Sequence, residues 1–311
     1  MRAYLAITDG DWFRHLSALP GVDEVNFWKP ASQKAFRALT LGELLLFKLH
    51  APQNFVVGGG VFTHFSRLPC SMAWEAFGEK NGATTLPEMR TRIEKYRRTA
   101  PSRDDYTIGC VLLEQPFFLP RERWIPAPGD FSPHTQVGKL YDLQAGLGRS
   151  LWDDLQVAIA GVSVERVLDA TMARERPAGG GAAPRLVTPR LGQGSFRVMV
   201  TDAYDRRCAV TGERTLPALE AAHIKPYAQS GGHRLSNGLL LRADVHALFD
   251  RGYVTVTPTR RFEVSPRIRE EWENGRDYYR LHGAEVSAPL RPQWAPDRQL
   301  LRWHNENVFR V

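Results

Sequence analysis

The sequence has 311 residues, 43% hydrophobic and 24% charged, which is ordinary for a globular protein and excludes a disordered or fibrous chain. No run approaches the roughly 18 apolar residues of a membrane-spanning helix, and the start MRAYLAITDGDWF turns acidic too early for a signal peptide. We therefore expect a cytoplasmic protein with no membrane partner. The net charge of +7 suits a polyanionic partner but is also common among other proteins.

The N-terminal half reads as a mixture of strands and helices. Two segments predict helices, SMAWEAFGEKNG and TLPEMRTRIEKYRRT, and Pro87 fits the first turn of the second. Short apolar or alternating runs predict the strands: MRAYLAIT, GELLLFKLH, NFVVGGGVFTHF and YTIGCVLLEQPFFL. The fold class is therefore α+β, and the architecture that we expect for this half is a small β-barrel with flanking helices.

A helix and a linker follow this half. GKLYDLQAGLGRSLWDDLQVAIAG carries apolar residues at four-residue steps from Leu143 to Ile159, which is typical of a helix. Arg174–Arg190 is rich in Pro, Gly and Ala and lacks a core-forming pattern, so it predicts a linker. The predicted organisation is a domain over 1–143, a helix and linker over 144–190, and a second domain over 191–311.

From Arg190 to Val311 the chain has an excess of five basic over acidic side chains, and all but one of the basic residues are Arg. Arg offers forked hydrogen bonds that suit phosphate and guanine, although a GC-rich genome would give the same bias. Three cysteines, Cys70, Cys110 and Cys208, are too few and too widely spaced for a disulfide framework or a structural zinc site. We therefore expect no structural zinc.

Secondary structure in the second domain can be followed in chain order. GQGSFRVMVTDAYDRRCAV predicts a helix ending near Cys208, GYVTVTP and RFEVSP predict a hairpin, and REEWENGRDYYRL predicts a further helix. Between them, PALEAAHI reads as a strand, KPYAQSGGHRLSNG as a loop, LLLRA as a strand and ADVHALFD as a helix. Such a unit can direct one imidazole from the strand and another from the helix to a single cation.

The ordered set His223, Asn237 and His246, within AAHI, SNGLLL and HALFDRG, resembles the HNH nuclease family over roughly Cys208 to Val256. The resemblance implies a ββα-metal fold that hydrolyses phosphodiester bonds. It implies His223 as the general base, Asn237 as the residue that orients the His223 loop, and His246 as a ligand of one divalent cation. Without that order, the two histidines would more often be structural.

One position departs from the family pattern. Many members place Asp directly before the first His as a metal ligand, and this sequence has Ala222 there. Glu220, Asp244 and Asp250 are nearby carboxylates, and of these we favour Asp250 as a ligand beside His246. Oxygen ligands suit Mg²⁺ or Mn²⁺, and another transition metal stays open.

The N-terminal domain has a more diffuse resemblance, to the PUA superfamily, whose SRA and EVE branches read modified bases. The resemblance spans about Met1 to Leu143, and the fusion with an HNH domain is similar to modification-dependent restriction endonucleases. It implies a pocket for a flipped modified cytosine, in which aromatic rings stack and an amide or carboxylate reads the base edge. DEVNFWKP is expected to expose its central residues, although aromatics of a small barrel more often fill its core. The candidate pocket residues are Asp11, Asn26, Phe27, Trp28, Phe36 and Asp130.

These readings predict a type IV-like restriction endonuclease that binds double-stranded DNA carrying 5-methylcytosine or 5-hydroxymethylcytosine and acts as a homodimer. The basic residues expected to contact the DNA are Lys48, Arg90, Arg97, Lys225 and Arg234. Two alternatives stay open: a reader of modified bases whose nuclease domain has decayed, motivated by Ala222, and an RNA-directed HNH nuclease.

Overall fold

The computed structural model describes residues 1–30, 35–97, 105–159, 192–226 and 234–311. The chain divides into two units, 1–189 and 190–311, each with its own interior. The predicted linker Arg174–Arg190 lies outside the described residues.

The first unit is built on a seven-stranded sheet in which β2, β5, β4, β3, β1 and β7 are neighbours in that order and β6 pairs with β4. Strands β1 and β3 are parallel, with Ala3 opposite Leu44, and the other pairings are antiparallel. The strand bounds are β1 Arg2–Thr8, β2 Glu24–Lys29, β3 Leu44–Leu49, β4 Phe55–Pro69, β5 Thr107–Phe118, β6 Ile125–Pro126 and β7 Gly138–Asp142.

Among the described residues, four helices accompany this sheet. The side chain of Asp9 caps the first, and Thr85 caps the third, where Pro87 occupies the first turn as predicted. In the fourth, Leu151 and Leu155 are buried, whereas Leu147 is 47% exposed, so the predicted stripe only partly faces the interior. The helix bounds are α1 Gly10–Ala18, α2 Cys70–Phe77, α3 Leu86–Glu94 and α4 Gly146–Ile159.

The prediction of a mainly β first half is confirmed, but the prediction of a closed barrel is wrong. Within the described residues, β2 and β7 are the two edges of the sheet and do not pair with each other. Strand β4 changes register against both neighbours around its glycines. A Cβ at Gly58 would lie 2.2 Å from the carbonyl oxygen of Phe117, so only glycine fits this close approach.

The second unit combines helices with two small antiparallel hairpins, β8–β9 and β10–β11. Its core gathers apolar side chains from the helix α5, from both hairpins and from the helix α6, including Phe196, Leu240, Phe249 and Phe262. The bounds are α5 Gln193–Ala203, β8 Leu219–His223, β9 Gly238–Arg242, α6 Ala243–Asp250, β10 Val254–Val256, β11 Phe262–Val264, α7 Arg267–Trp272, α8 Arg276–Tyr279 and α9 Arg298–Asn307.

Two helix predictions in this unit need correction. The helix expected to end near Cys208 ends at Ala203, because residues 204–207 turn and place Asp205 and Arg206 at positive φ. The single helix expected over REEWENGRDYYRL is two short helices, since Glu273 and Gly275 adopt left-handed conformations. The predicted β10–β11 hairpin is confirmed. No helix among the described residues is long and apolar enough to cross a lipid bilayer.

Candidate active site

The two strands and the helix expected around the three motif residues are present as β8, β9 and α6, and residues 227–233 of the expected loop lie outside the described residues. The hairpin pairs Leu219 with Arg242 and His223 with Gly238, and α6 begins directly after β9. Along β8, Leu219 and Ala222 are buried, whereas Glu220 is exposed. The local order of the chain therefore places His223 at the end of a strand and His246 on the adjoining helix.

Asn237 braces the chain that leaves β8. It is 1% exposed, its Oδ1 accepts a hydrogen bond from the backbone N–H of Lys225 at 2.9 Å, and its Nδ2 donates to the carbonyl of Lys225 at 2.9 Å. The backbone carbonyl of Asn237 also accepts from the N–H of Ile224. One amide thus satisfies both backbone groups of a residue two positions after His223.

The imidazole of His223 lies flat against the ring of Phe196 from α5, with ring centroids 4.0 Å apart and planes 10° apart. Phe196 is 1% exposed and belongs to the core of the unit. Stacking against a fixed ring restricts rotation of the imidazole. No local sequence pattern predicts this contact, because Phe196 lies on a helix that precedes the motif.

His246 lies between two carboxylates. Its Nδ1 is 2.6 Å from Glu220 Oε2, and its Nε2 is 3.4 Å from Asp250 Oδ2 one helical turn later. Burial alone would lower the pKa of His246, but the neighbouring carboxylates of Asp250 and Glu220 outweigh it and raise the pKa. The pair of carboxylates makes this the acidic side of the site.

The third candidate carboxylate, Asp244, is already engaged. Arg242 donates to both of its oxygens, at 2.6 and 2.7 Å, and the hydroxyl of Tyr278 donates at 3.1 Å. The hydrogen bonds from Arg242 hold the pKa of Asp244 below its usual range. Both oxygens of this carboxylate are therefore already bonded to the protein's own side chains.

The donor set at His246 suits a divalent cation that keeps other ligands. Within the part of the chain that the structure describes, no three His, Cys, Asp or Glu side chains are arranged to hold a metal together. An imidazole and one or two carboxylates, completed by water and substrate phosphate, is a donor set that Mg²⁺ and Mn²⁺ accept. His246 and Asp250, with Glu220 beside them, fit that description.

Residues 208–257 match the family model described as HNH endonuclease. This part of the chain is therefore an HNH endonuclease domain, and the protein is a nuclease, a hydrolase of phosphodiester bonds. HNH nucleases generally use a divalent metal, in accord with the donor set.

Two solved structures show weaker likeness. The ASCH protein from Zymomonas mobilis has 11% identity and a TM-score of 0.33, over 49% of this chain and 94% of that chain. The modification-dependent TagI restriction endonuclease has 15% identity and a TM-score of 0.27, over 99% of this chain and 82% of that chain. No curated protein matches the sequence. The nuclease class therefore rests on the family match.

Three of the candidate base-pocket residues lie on β2, where the expectation that they are exposed is wrong. Asn26 is fully buried and donates to Asn81 Oδ1 at 2.9 Å, and the indole N–H of Trp28 donates to the carbonyl of Asn81 at 3.0 Å. Phe27 packs edge-on against Trp12 with ring centroids 5.4 Å apart. Residues of β2 are buried because this edge strand is covered by α1 and by the segment that contains Asn81.

The other three candidates have separate partners. Phe36 meets the ring of Tyr4 edge-on at 5.3 Å. Asp130 accepts from Lys139 Nζ at 2.7 Å and from the Tyr141 hydroxyl at 2.8 Å. Asp11 is half exposed and pairs with Arg14. The contacts of the six candidates thus fall into different groups, and their role in base binding stays a prediction.

The five candidate DNA-binding residues differ in exposure and in the protein groups that their side chains contact. Lys48 is 4% exposed and donates to Asn54 Oδ1 at 2.6 Å, and its burial lowers the pKa of the ammonium group. Arg90 pairs with Asp105 at 3.0 Å, and Arg97 donates to the carbonyl of Pro30 at 3.1 Å. Lys225 Nζ lies 4.7 Å from the ring centroid of Trp303, and Arg234 is exposed.

A polar pocket in the second unit was not predicted. It has a volume of about 670 Å³ and lies where α7 and α8 meet. Its lining includes three arginines and two carboxylates, Arg269, Arg276, Arg280, Glu273 and Asp277. The signal was hidden because REEWENGRDYYRL reads as one continuous helix, and only the break at Glu273–Gly275 turns these side chains toward a common space.

Proposed function

We propose that the protein is a modification-dependent DNA endonuclease of the restriction type, which hydrolyses phosphodiester bonds at His223 and His246. The observation that carries this proposal is the ββα unit of β8, β9 and α6, in which the three motif residues occupy the strand end, the brace and the helix. The match of residues 208–257 to the HNH endonuclease model supports the same reading.

In this proposal His223 removes a proton from the attacking water, a role that suits an imidazole because it titrates near neutral pH. Phe196 holds the plane of that imidazole, and Asn237 fixes the backbone beyond it through its two hydrogen bonds with Lys225. The base is thereby oriented before substrate arrives, which reduces the entropy lost in reaching a reactive geometry.

His246 and Asp250 are the residues that would hold the cation. When bound, a divalent cation neutralises charge on the scissile phosphate and on the leaving oxygen. Asp250 lies one turn after His246 on α6, so the helix presents both donors on one face. Position 222, where many family members carry an Asp ligand, is an alanine here, so its side chain has no atom that could bind the cation.

We further propose that the first unit selects DNA with 5-methylcytosine or 5-hydroxymethylcytosine by taking up the flipped base. Support comes from the fused organisation and from the aromatic and polar residues of the first unit. Because Asn26 and Trp28 are bonded to Asn81, we place any stacking and edge reading mainly on residues with exposed atoms, such as Asp11 and Phe36. Cutting both strands requires two nuclease sites, so we propose a homodimer on DNA.

The catalytic assignment is tested by digestion of a methylated duplex with Mg²⁺ or Mn²⁺. His223→Ala is expected to slow cleavage about 100- to 10,000-fold, the range for loss of a general base, with binding retained. His282→Ala is the matched control, since His282 is an exposed imidazole of the same unit. Equal cutting by wild type and His223→Ala would refute the assignment of the base. Binding without cutting by either protein would instead favour a reader with a decayed nuclease.

The substrate assignment is tested with one duplex prepared unmodified, 5-methylated and 5-hydroxymethylated, together with an RNA competitor. We expect cleavage of one or both modified forms and little cleavage of the unmodified form. Equal digestion of all three would remove modification dependence and leave the nuclease intact. Stronger competition by RNA than by modified duplex would favour the RNA-directed alternative.

A further inference from the structure

The two contacts of His246 with carboxylates differ in kind. The distance of 2.6 Å between Nδ1 and Glu220 Oε2 is that of a direct, charge-assisted hydrogen bond. The distance of 3.4 Å between Nε2 and Asp250 Oδ2 exceeds the usual range for an N–H donor and an oxygen acceptor. The ring is therefore bonded on one side and only near a carboxylate on the other.

A neutral imidazole carries one N–H, and its position decides which nitrogen can bind a cation. The short contact assigns the proton to Nδ1, because the carboxylate of Glu220 can only accept. Nε2 then has a free lone pair on the side of Asp250. Two donor atoms that are each about 2.1 Å from one cation, at an angle of about 90–110°, are roughly 3.0–3.4 Å apart. The separation of Nε2 and Asp250 Oδ2 agrees with that geometry.

The contact with Glu220 does not agree with shared ligation. Atoms 2.6 Å apart on one cation with bonds of about 2.1 Å would subtend roughly 75°, which is narrow for two separate ligands. Asp244 is also unsuited to orient the ring, because Arg242 and Tyr278 already occupy its oxygens. Among the three carboxylates near the motif, Glu220 is thus the one bonded to Nδ1.

We propose that Glu220 is a positioning residue, which holds His246 as the Nδ1–H tautomer and so presents Nε2, together with Asp250, to the catalytic cation. This inference rests on the proposed role of His246 as a ligand. Glu220 lies on β8 three residues before His223, so one strand carries the general base and the residue that orients the ligand. The hydrogen bond between Glu220 on β8 and His246 on α6 therefore connects the strand that carries the general base with the helix that carries the metal ligands.

The tautomer can be read in the metal-free full-length protein. Histidine labelled with ¹⁵N gives different two-bond couplings for Nδ1–H and Nε2–H rings, and His246→Gln assigns the signal. At alkaline pH we expect wild-type His246 to be mainly Nδ1–H and Glu220→Ala to shift toward Nε2–H. The control Glu306→Gln, an exposed carboxylate on α9, should leave the signal unchanged. A wild-type ring that is mainly Nε2–H would overturn the proposal.

Metal affinity gives the second readout, with Mn²⁺ as the probe and electron paramagnetic resonance as the measurement, without DNA. Glu220→Ala should weaken Mn²⁺ binding about 10- to 100-fold, the usual cost of losing the partner of a ligating histidine. Glu220→Gln should lose less, because an amide oxygen still accepts from Nδ1–H, whereas Asp250→Asn loses a ligand. Far-ultraviolet circular dichroism checks that each variant is folded.

Three outcomes would overturn the positioning role: unchanged affinity in Glu220→Ala, no Mn²⁺ binding by the wild type, or a loss in Glu220→Gln as large as in Asp250→Asn. The last outcome would make Glu220 a ligand. Neither measurement involves cleavage. A protein that shows the expected tautomer and metal affinities but cuts no DNA would contradict the proposed function and leave the role of Glu220 standing.

Discussion

The sheet of the first unit and the β8–β9–α6 segment of the second unit use polar residues differently. In the first unit, Asn26 and Glu114 of the sheet and Asn81 beside it are buried and face other protein atoms. In the β8–β9–α6 segment, Glu220 and Asp250 keep about half of their side-chain surface exposed while bonding or approaching an imidazole. The first arrangement stabilises a fold, and the second leaves donor atoms available to a ligand.

The difference teaches how to separate a structural polar residue from a functional one. His304 has the features that often suggest function, since it is a buried histidine with two polar partners. Yet Thr255 Oγ1 lies 2.8 Å from its Nδ1, the carbonyl of Phe249 lies 3.1 Å from its Nε2, and the ring stacks on Phe249. Both nitrogens are bonded to the protein's own atoms, so no lone pair is left for a ligand.

The largest expected effect tests the buried polar residues of the sheet. Glu114 is 2% exposed, and burial, with the nearby charges of Glu24 and Asp23, raises its pKa to about 8 from 4.5. Since the folded pKa is the higher one, the stability from this group is present below pH 4.5 and is lost as pH rises to about 8. The loss is roughly 5 kcal/mol.

Glu114→Gln removes this titration, so its free energy of unfolding should stay flat where that of the wild type falls. Urea unfolding at several pH values measures the difference, and Glu122→Gln, an exposed carboxylate of the same unit, is the control. A variant with the same pH dependence as the wild type would mean that Glu114 is solvated, and the contrast between the units would weaken.

His304 should give the opposite pH dependence in the second unit. Burial lowers its pKa to about 4 from 6.5, so its contribution to stability is present above pH 6.5 and is lost as pH falls to about 4. The expected loss is roughly 3 kcal/mol. His304→Gln should unfold more easily at neutral pH but lose less stability on acidification. Asn307→Ala, at an exposed residue of α9 that does not titrate, should retain the wild-type slope, and a wild-type slope in His304→Gln would contradict the assignment.

A smaller effect is expected at Asn237, which is buried like the structural polar residues of the sheet but lies next to the proposed active site. Asn237→Ala removes two hydrogen bonds with Lys225 and should cost about 2 kcal/mol of stability. Because those bonds fix the chain beyond His223, kcat should fall while DNA affinity changes little. Asn307→Ala, at an exposed asparagine of α9, is the control for both measurements. A fall in affinity with unchanged kcat would place Asn237 at the DNA surface instead.

The sequence predicted the nuclease segment better than the sheet, for a physical reason. His223, Asn237 and His246 belong to one strand–loop–strand–helix unit, so local order already fixes which elements carry them. The contacts of Asn26 with Asn81 and of His223 with Phe196 join distant segments, and their formation depends on long-range packing that residue patterns do not encode. The sequence does not show that Trp12 of the helix α1 packs against β2, so the burial of this strand was not predicted.

The smallest expected effect compares two lysines, both predicted to contact DNA. Lys225 lies beside the catalytic loop with its ammonium near Trp303, whereas Lys48 is buried against Asn54. If Lys225 meets a phosphate, Lys225→Ala should weaken DNA binding about equally for all sequences and reduce the slope of log K against log salt by about 0.9. Lys48→Met should leave that slope unchanged, because a buried ammonium releases no counterion from the DNA. Fluorescence anisotropy over a salt series measures both, and a reduced slope in Lys48→Met would show that the first unit opens on DNA.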